Sequence, residues 1–511
     1  MRSLSTISRK SALILTLLCI ISCTQDFEEI NSDPVDPQSA SIEGIMAGVQ
    51  YFEFAEPRFV TWRGNLIYTS QFSHQFSYNV TSSWFGADAY QNNQGWTNAV
   101  FDASYKKVSL NLRNLLVNYN DLGDQNGAAV ARIMMSWFYQ KMTDIFGNIP
   151  YSDVAVAELL PQNNLPQYNT QKDIYTAIIE DLKTQIDIIG SATNAIGGDE
   201  GDYLYAGDPQ KWKAFANTLR LRMALRSRDA FIQDGEQAFI DAVITECLAD
   251  DLIEESSQAL LPRSVTPLEL SNLDGGFEDI YHGFGETLGP KWVFTERYLS
   301  LLEDNNDPRL SEVAEQAPNG GYGGSFIGSR TQAVREDMAI PSAKIIGLST
   351  TDVASLAPIQ VVSAAESYFL QAEAAVLGYG GDANTLYQMG IRASMEYWGV
   401  SSGDADNFIM NETIAQLIGS TQENLESIWN QRWLAALTNG YESWALVRRT
   451  NLIDDLTDNA LFFVTQPNNG IVPRRLPYSS TELVSNAENV NKAIQQQGPD
   501  EMSTNIWWDI D

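Results

Sequence analysis

Ala365-Glu366-Ser367-Tyr368-Phe369-Leu370-Gln371-Ala372-Glu373-Ala374-Ala375-Val376 leads into Gly378-Tyr379-Gly380-Gly381-Asp382, and a second run follows that carries Leu386, Met389, Ala393 and Tyr397. In the first run Val362, Ala365, Phe369, Ala372 and Val376 recur at the spacing of one helix face, and the second run has the same period. The glycine cluster between them turns the chain, so the segment predicts a helical hairpin. Alanines on both stripes let two helices approach closely, as in stacked helical repeats. No strict period recurs along the sequence, so any repeat is degenerate.

The same period extends outward. Val130, Ile133, Met134, Trp137, Phe138, Met142 and Ile145 fall on one helix face, and Gly147-Asn148-Ile149-Pro150 stops that helix. Thr170-x-x-Asp173 reads as a cap, followed by a stripe of Tyr175, Ile178, Ile179, Leu182, Ile186 and Ile189. Asp208-Pro209 opens another helix, with Trp212, Phe215, Ala216, Leu219 and Met223 on its face. A later one carries Leu425, Ile428, Trp429, Trp433 and Ala436. The expected class is mostly α, with two long irregular stretches, Ser82 to Tyr105 and Ser271 to Tyr322. Trp137, Trp212, Trp429 and Trp433 sit on stripes and are read as core.

At the N-terminus, Arg2, Arg9 and Lys10 precede the apolar run from Ala12 to Ile21, the order of a secretory signal. The run is about half the ~20 residues a membrane-spanning helix needs. Ser22-Cys23 at its end resembles the lipobox of bacterial lipoproteins, which implies cleavage before Cys23 and lipid on its thiol. The expected organisation is a signal peptide over 1–22, a lipidated N-terminus and acidic tether over 23–40, and a single domain over 41–511. The net charge is −33 and becomes −36 once the three basic residues of the signal are removed. Such a surface repels nucleic acid, which is set aside as a partner. Beyond Cys19 and Cys23 only Cys247 remains, so no internal disulfide is expected after lipidation, and its apolar helical context predicts an inert buried thiol.

Three stretches carry binding chemistry. Trp84, Phe85, Tyr90 and Trp96 are interleaved with Gln91-Asn92-Asn93-Gln94; Tyr281, His282 and Trp292 lie close to Glu278 and Asp279; Tyr322 stands among Gly320, Gly321, Gly323 and Gly324. Flat aromatic faces accept the C–H faces of sugar rings, and amides and carboxylates pair with sugar hydroxyls. The competing role for each aromatic is to pin its loop to the scaffold. No metal site or cofactor is expected. Asp304-Asn305-Asn306-Asp307 and Asp199-Glu200-Gly201-Asp202 lack the ligand spacing of a calcium hand, which leaves structural calcium unsupported. Gly-x-Ser-x-Gly, Gly-x-x-x-x-Gly-Lys and His-Glu-x-x-His motifs are absent. A surface glycoside hydrolase built on paired carboxylates stays open as an alternative, since sequence cannot place two acids at catalytic separation.

Several segments in order resemble the SusD/RagB-like nutrient-binding outer-membrane lipoproteins of Bacteroidetes. They are Phe27-Glu28-Glu29-Ile30-Asn31-Ser32-Asp33-Pro34, Asp144 to Tyr151, Trp212 to Ala224, Asn306-Asp307-Pro308-Arg309, Glu366 to Ala374, and Pro473-Arg474-Arg475-Leu476-Pro477-Tyr478. Ser479 departs from the family habit of a further proline there. The resemblance implies a scaffold of degenerate tetratricopeptide-like hairpins with irregular loops that hold the ligand. It also implies a partner, a SusC-like TonB-dependent β-barrel transporter, and an oligosaccharide or, in some members, a peptide as cargo, with no covalent chemistry.

Overall fold

The computed structural model describes residues 41–55, 60–78, 90–156, 165–196, 201–263, 292–327, 334–348, 354–453 and 467–510. The anchor Cys23, the tether, and Trp84, Phe85, Tyr281 and His282 lie outside these residues.

Helices dominate. In chain order they include α1 (Ile42–Gln50), α2 (Gln94–Ala103), α3 (Leu110–Leu122), α4 (Gln125–Phe146), α5 (Gln171–Ile189), α6 (Pro209–Gln233), α7 (Gln237–Leu248), α8 (Glu296–Glu303), α9 (Ala364–Val376), α10 (Ala383–Trp398), α11 (Ser402–Asn411), α12 (Thr421–Ala435), α13 (Gly440–Thr450) and α14 (Ala487–Gln497). From α3 to α7 each helix packs on the next, and α9 packs on both α10 and α12. This is the stacked-hairpin scaffold that the periodicity predicts. Among the described residues no helix is long and apolar enough to cross a membrane.

The caps follow the sequence. Thr170 accepts the amide of Asp173, Asp208 accepts those of Gln210 and Lys211 ahead of Pro209, and Gly147 ends α4 at φ 78°. The α4 and α5 stripes are buried, except that Trp137 is half-exposed, with the Lys141 ammonium 4.6 Å from its ring centroid. Trp212 and Trp433 are fully buried, and Trp429 is half-buried. In the hairpin, Ala365, Phe369 and Ala372 are buried, but Val362 belongs to a strand. On α10 the buried face holds Tyr387, Gly390, Ile391, Ala393, Ser394, Met395 and Trp398; Ala393 is buried as predicted, while Leu386, Met389 and Tyr397 are only partly buried, so the face is rotated by about one residue from the predicted stripe. The cause is Gly390, against which the Phe369 ring packs so closely that a Cβ there would lie 2.6 Å from the ring.

Strands are short and pair far across the sequence: β1 (Phe76–Tyr78), β2 (Ile149–Pro150), β3 (Tyr168–Asn169), β4 (Ala259–Leu261), β5 (Trp292–Phe294), β6 (Ala314–Glu315), β7 (Ile340–Pro341) and β8 (Ile359–Val362). The antiparallel pairs are β1–β5, β2–β3, β4–β8 and β6–β7. The two stretches expected to be irregular are partly helical. α2 occupies 94–103 and the chain stays helical through Ser109, while α8 occupies 296–303. Asn93 caps α2, and Thr97, Val100 and Phe101 form its buried stripe. That stripe was readable, but the polar run Asn92-Asn93-Gln94-Gly95 ahead of it masked the helix start.

Candidate functional site

The site is built on the turn after the short helix Ser70–Phe72. Trp433, buried on α12, donates its Nε1–H to Ser73 O at 2.9 Å, and Gln75 Nε2 donates to Trp433 O at 2.9 Å. These bonds fix His74 in a left-handed conformation, φ 54°, that a non-glycine residue adopts only when its surroundings impose it. His74 Nε2 bonds the Tyr90 hydroxyl at 2.7 Å, and Tyr90 is itself left-handed at φ 57°. Burial and the nearby Arg297 charge push His74 down to about 3, so it is neutral at physiological pH.

The same turn carries the ribbon. Thr295 Oγ1 donates to His74 O, and Thr295 N donates to Gln75 O at 3.1 Å. In the ribbon Phe76 pairs with Phe294 and Tyr78 pairs with Trp292. Tyr78 and Trp292 therefore lie side by side. The chain that runs on toward Trp84 and Phe85, and the chain that arrives from Tyr281 and His282, leave the described fold at one place. Two aromatic stretches some two hundred positions apart share a root because of this register.

Trp96 stands in the first turn of α2, half-buried. The start of α2 is fixed by Tyr68, whose hydroxyl donates to Asn93 O at 3.0 Å and accepts Asn93 N at 3.0 Å. Phe72 bridges the two parts: its ring is 5.6 Å from Tyr68 and 6.1 Å from Tyr90, centroid to centroid. Tyr322 is half-buried, and its segment is tied to the ribbon where Ser325 N donates to Phe294 O at 2.9 Å.

Two predicted contact residues are corrected. Trp292 is 1% exposed, with its ring 5.1 Å from that of Tyr78, and Tyr90 is 2% exposed with its hydroxyl on His74. Both pack the ribbon's root and present no open face. Trp96 and Tyr322 keep exposed surface. Asp202 and Asp307, from the two acidic stretches, are occupied by donors of the chain. Asp202 accepts Trp212 Nε1, Gln50 Nε2 and the Gly207 amide, and Asp307 pairs with Arg309. Cys247 is fully buried, and burial pushes its thiol up to about 12, as expected for an inert thiol.

Sequence reading missed a buried ionic cluster. Arg222 grips Glu366 through Nε at 2.8 Å and Nη2 at 2.6 Å; Arg226 joins Asp144 to Glu442; Arg432 Nη2 reaches Glu366 at 2.8 Å. Asp144 also accepts Tyr175 Oη and, at 2.7 Å, Trp508 Nε1. Burial opposes the ionisation of Glu442, but Arg222, Arg226 and Arg432 outweigh it and hold the carboxyl down at about 2. A small cleft opens beside the cluster, lined in part by Glu366, Arg432 and Glu442. The Glu442 carboxyl is held down by arginines, the opposite of the raised carboxyl that glycoside hydrolysis needs as its acid.

The sequence model of a SusD-like family, described as starch-binding and associating with the outer membrane, matches residues 59–479. The chain belongs to this SusD-like family. No curated protein matches it. Among solved structures, a chitin-binding protein is similar at 25% identity with a TM-score of 0.76, covering 92% of this chain and 100% of its own. A SusD homolog from Bacteroides uniformis is similar at 23% identity and a TM-score of 0.76, covering 92% and 99%. A chitin-binding SusD homolog from Flavobacterium johnsoniae is similar at 21% identity and a TM-score of 0.75, again covering 92% and 99%. The helical-hairpin scaffold is thus the SusD-like fold, tetratricopeptide-like as the resemblance implies.

The SusD-like segments turn out to hold the buried polar framework. Asp144, Arg222, Asp307, Arg309, Glu366, Glu373 and Arg475 all come from them, and each is paired within the scaffold. Tyr478, from the last of them, donates to Asn148 O at 2.8 Å. The aromatic residues of the candidate site come from other stretches.

Proposed function

We propose that this SusD-like protein captures an oligosaccharide at the bacterial surface and delivers it to a SusC-like TonB-dependent β-barrel transporter, held to the outer membrane by lipid on Cys23. The carrying observation is the Tyr78–Trp292 register, which brings the roots of both aromatic stretches together. The family description and the two relatives named for chitin binding favour a glycan, and a chitin-type oligosaccharide is the first to test. Aromatic faces and side-chain amides suit a neutral sugar chain, and the net charge of −33 disfavours an acidic one. Capture without turnover agrees with the arginine-held acids of the cleft.

Calorimetric titration with chitohexaose, maltohexaose and a mixed peptide pool tests the cargo. Saturable binding of one oligosaccharide with no release of shorter products is expected. Binding of peptides alone would reassign the cargo, and turnover lost on one carboxylate substitution would replace capture by hydrolysis. For the anchor, Cys23→Ser is expected to free the protein from the membrane fraction. Purification of the transporter complex tests the partner.

A further inference from the structure

The cleft beside the ionic cluster has a chemistry separate from the aromatic site. Its polar lining includes Ser363, Arg432 and Asn439, and its apolar walls are Val361, Ala435, Ala436 and Leu446. The three arginines of the cluster differ in how they are used. Arg222 places all three nitrogens on acceptors, whereas Arg432, only 6% exposed, uses Nη2 alone, at 2.8 Å from Glu366 and 3.7 Å from Glu442. Its Nε–H and Nη1–H donors find no acceptor in the described chain, and the side chain forms part of the cleft wall. These donors reach the cleft surface, where water or a ligand can accept them.

The neighbouring groups add donors. Ser363 Oγ accepts the Glu366 amide at 3.1 Å and keeps its own hydrogen, and Asn439 Oδ1 accepts the Glu442 amide at 3.4 Å and leaves its NH₂ unused. These two residues cap α9 and α13, so two helix N-termini converge on the cleft. The carboxyl end of α12 also reaches it, but Ala436 O already accepts Asn439 N at 2.9 Å and Ser443 Oγ at 3.1 Å. The lining acids Glu366 and Glu442 are matched by Arg222 and Arg226 behind them. What remains is a pocket rich in donors, with a short apolar wall.

The geometry points to a binding site for a small monocarboxylate, its carboxylate on Arg432, Ser363 and Asn439 and its body against Val361, Ala436 and Leu446. This site is independent of the oligosaccharide reading. The probes are acetate and D-glucuronate, with acetamide as the neutral isostere of acetate, titrated into the full mature protein in carboxylate-free buffer. Saturable binding of at least one carboxylate is expected, with acetamide weaker than acetate by about tenfold or more. Ala436→Leu, which fills the wall without touching the ionic cluster, is expected to abolish that binding and leave oligosaccharide affinity unchanged. Arg432→Gln risks the fold, so the acetate–acetamide comparison on the unaltered protein stands as the primary test. Equal binding of acetate and acetamide, no saturation by either carboxylate, or full affinity in folded Ala436→Leu would overturn the proposal.

Discussion

The α9–α10 hairpin and the β1–β5 ribbon are assembled by opposite rules. The hairpin joins neighbours in sequence, and a period, a glycine turn and two caps specify it locally. The ribbon joins residues more than two hundred positions apart, and a turn held by α12 through Trp433 sets its register. Local specification makes the hairpin tolerant of change on its outer face. Long-range specification makes the ribbon dependent on a few bonds that no periodicity announces.

The ionic cluster underlies both regions, and breaking it gives the largest effect. Asp144→Ala would leave Arg226 buried without that partner and is expected to cost about 3–5 kcal/mol, measured by urea unfolding. Acid acts on the same cluster. The Glu442 carboxyl is depressed from 4.5 to about 2, so its stabilising contribution is complete above 4.5 and is lost as pH falls through that window. Unfolding midpoints between pH 5 and 2 should drop steeply, and a flat profile would contradict the pairing.

Within the hairpin, Gly390→Val should drive a methyl into the Phe369 ring and cost about 1–3 kcal/mol. A thermal scan reads it, and an unchanged midpoint would show that the two helices separate freely. Within the ribbon, His74→Gln should cost about 1 kcal/mol through loss of the Tyr90 bond. His74 is neutral when folded, depressed from 6.5 to about 3, so its contribution is present above 6.5 and fades as pH falls toward 3. The variant should therefore show a shallower loss of stability on acidification than the parent. The smallest effect on folding is expected for Trp96→Ala, below about 1 kcal/mol, while oligosaccharide affinity falls by about tenfold. Full affinity in that variant would remove Trp96 from the site.

Legibility followed the same division. Thr170, Asp208 and Gly147 were readable as helix limits because a cap acts within three residues of itself. The α10 face was displaced by about one residue because Gly390, which carries no apolar side chain, becomes a contact only when Phe369 packs on it. Trp292 and Tyr90 had the composition of a binding stretch, and their neighbours Tyr78 and His74 consumed them. Arg222, Arg432 and Glu366 looked like ordinary polar residues on helices. Their burial depends on five helices meeting, and a one-dimensional period does not count partners from elsewhere.

The sequence by itself determined the helical class, several helix limits and the resemblance to the SusD-like family. These rest on periodicity, capping and short motifs, all of which act over a few residues. Only the tertiary structure decided which aromatics are spent on packing, that two distant aromatic stretches share a root, and that a donor-lined cleft lies beside a buried ionic cluster. Each of those depends on contacts between residues far apart in the chain, whose energies come from burial and pairing that exist only once the fold has closed.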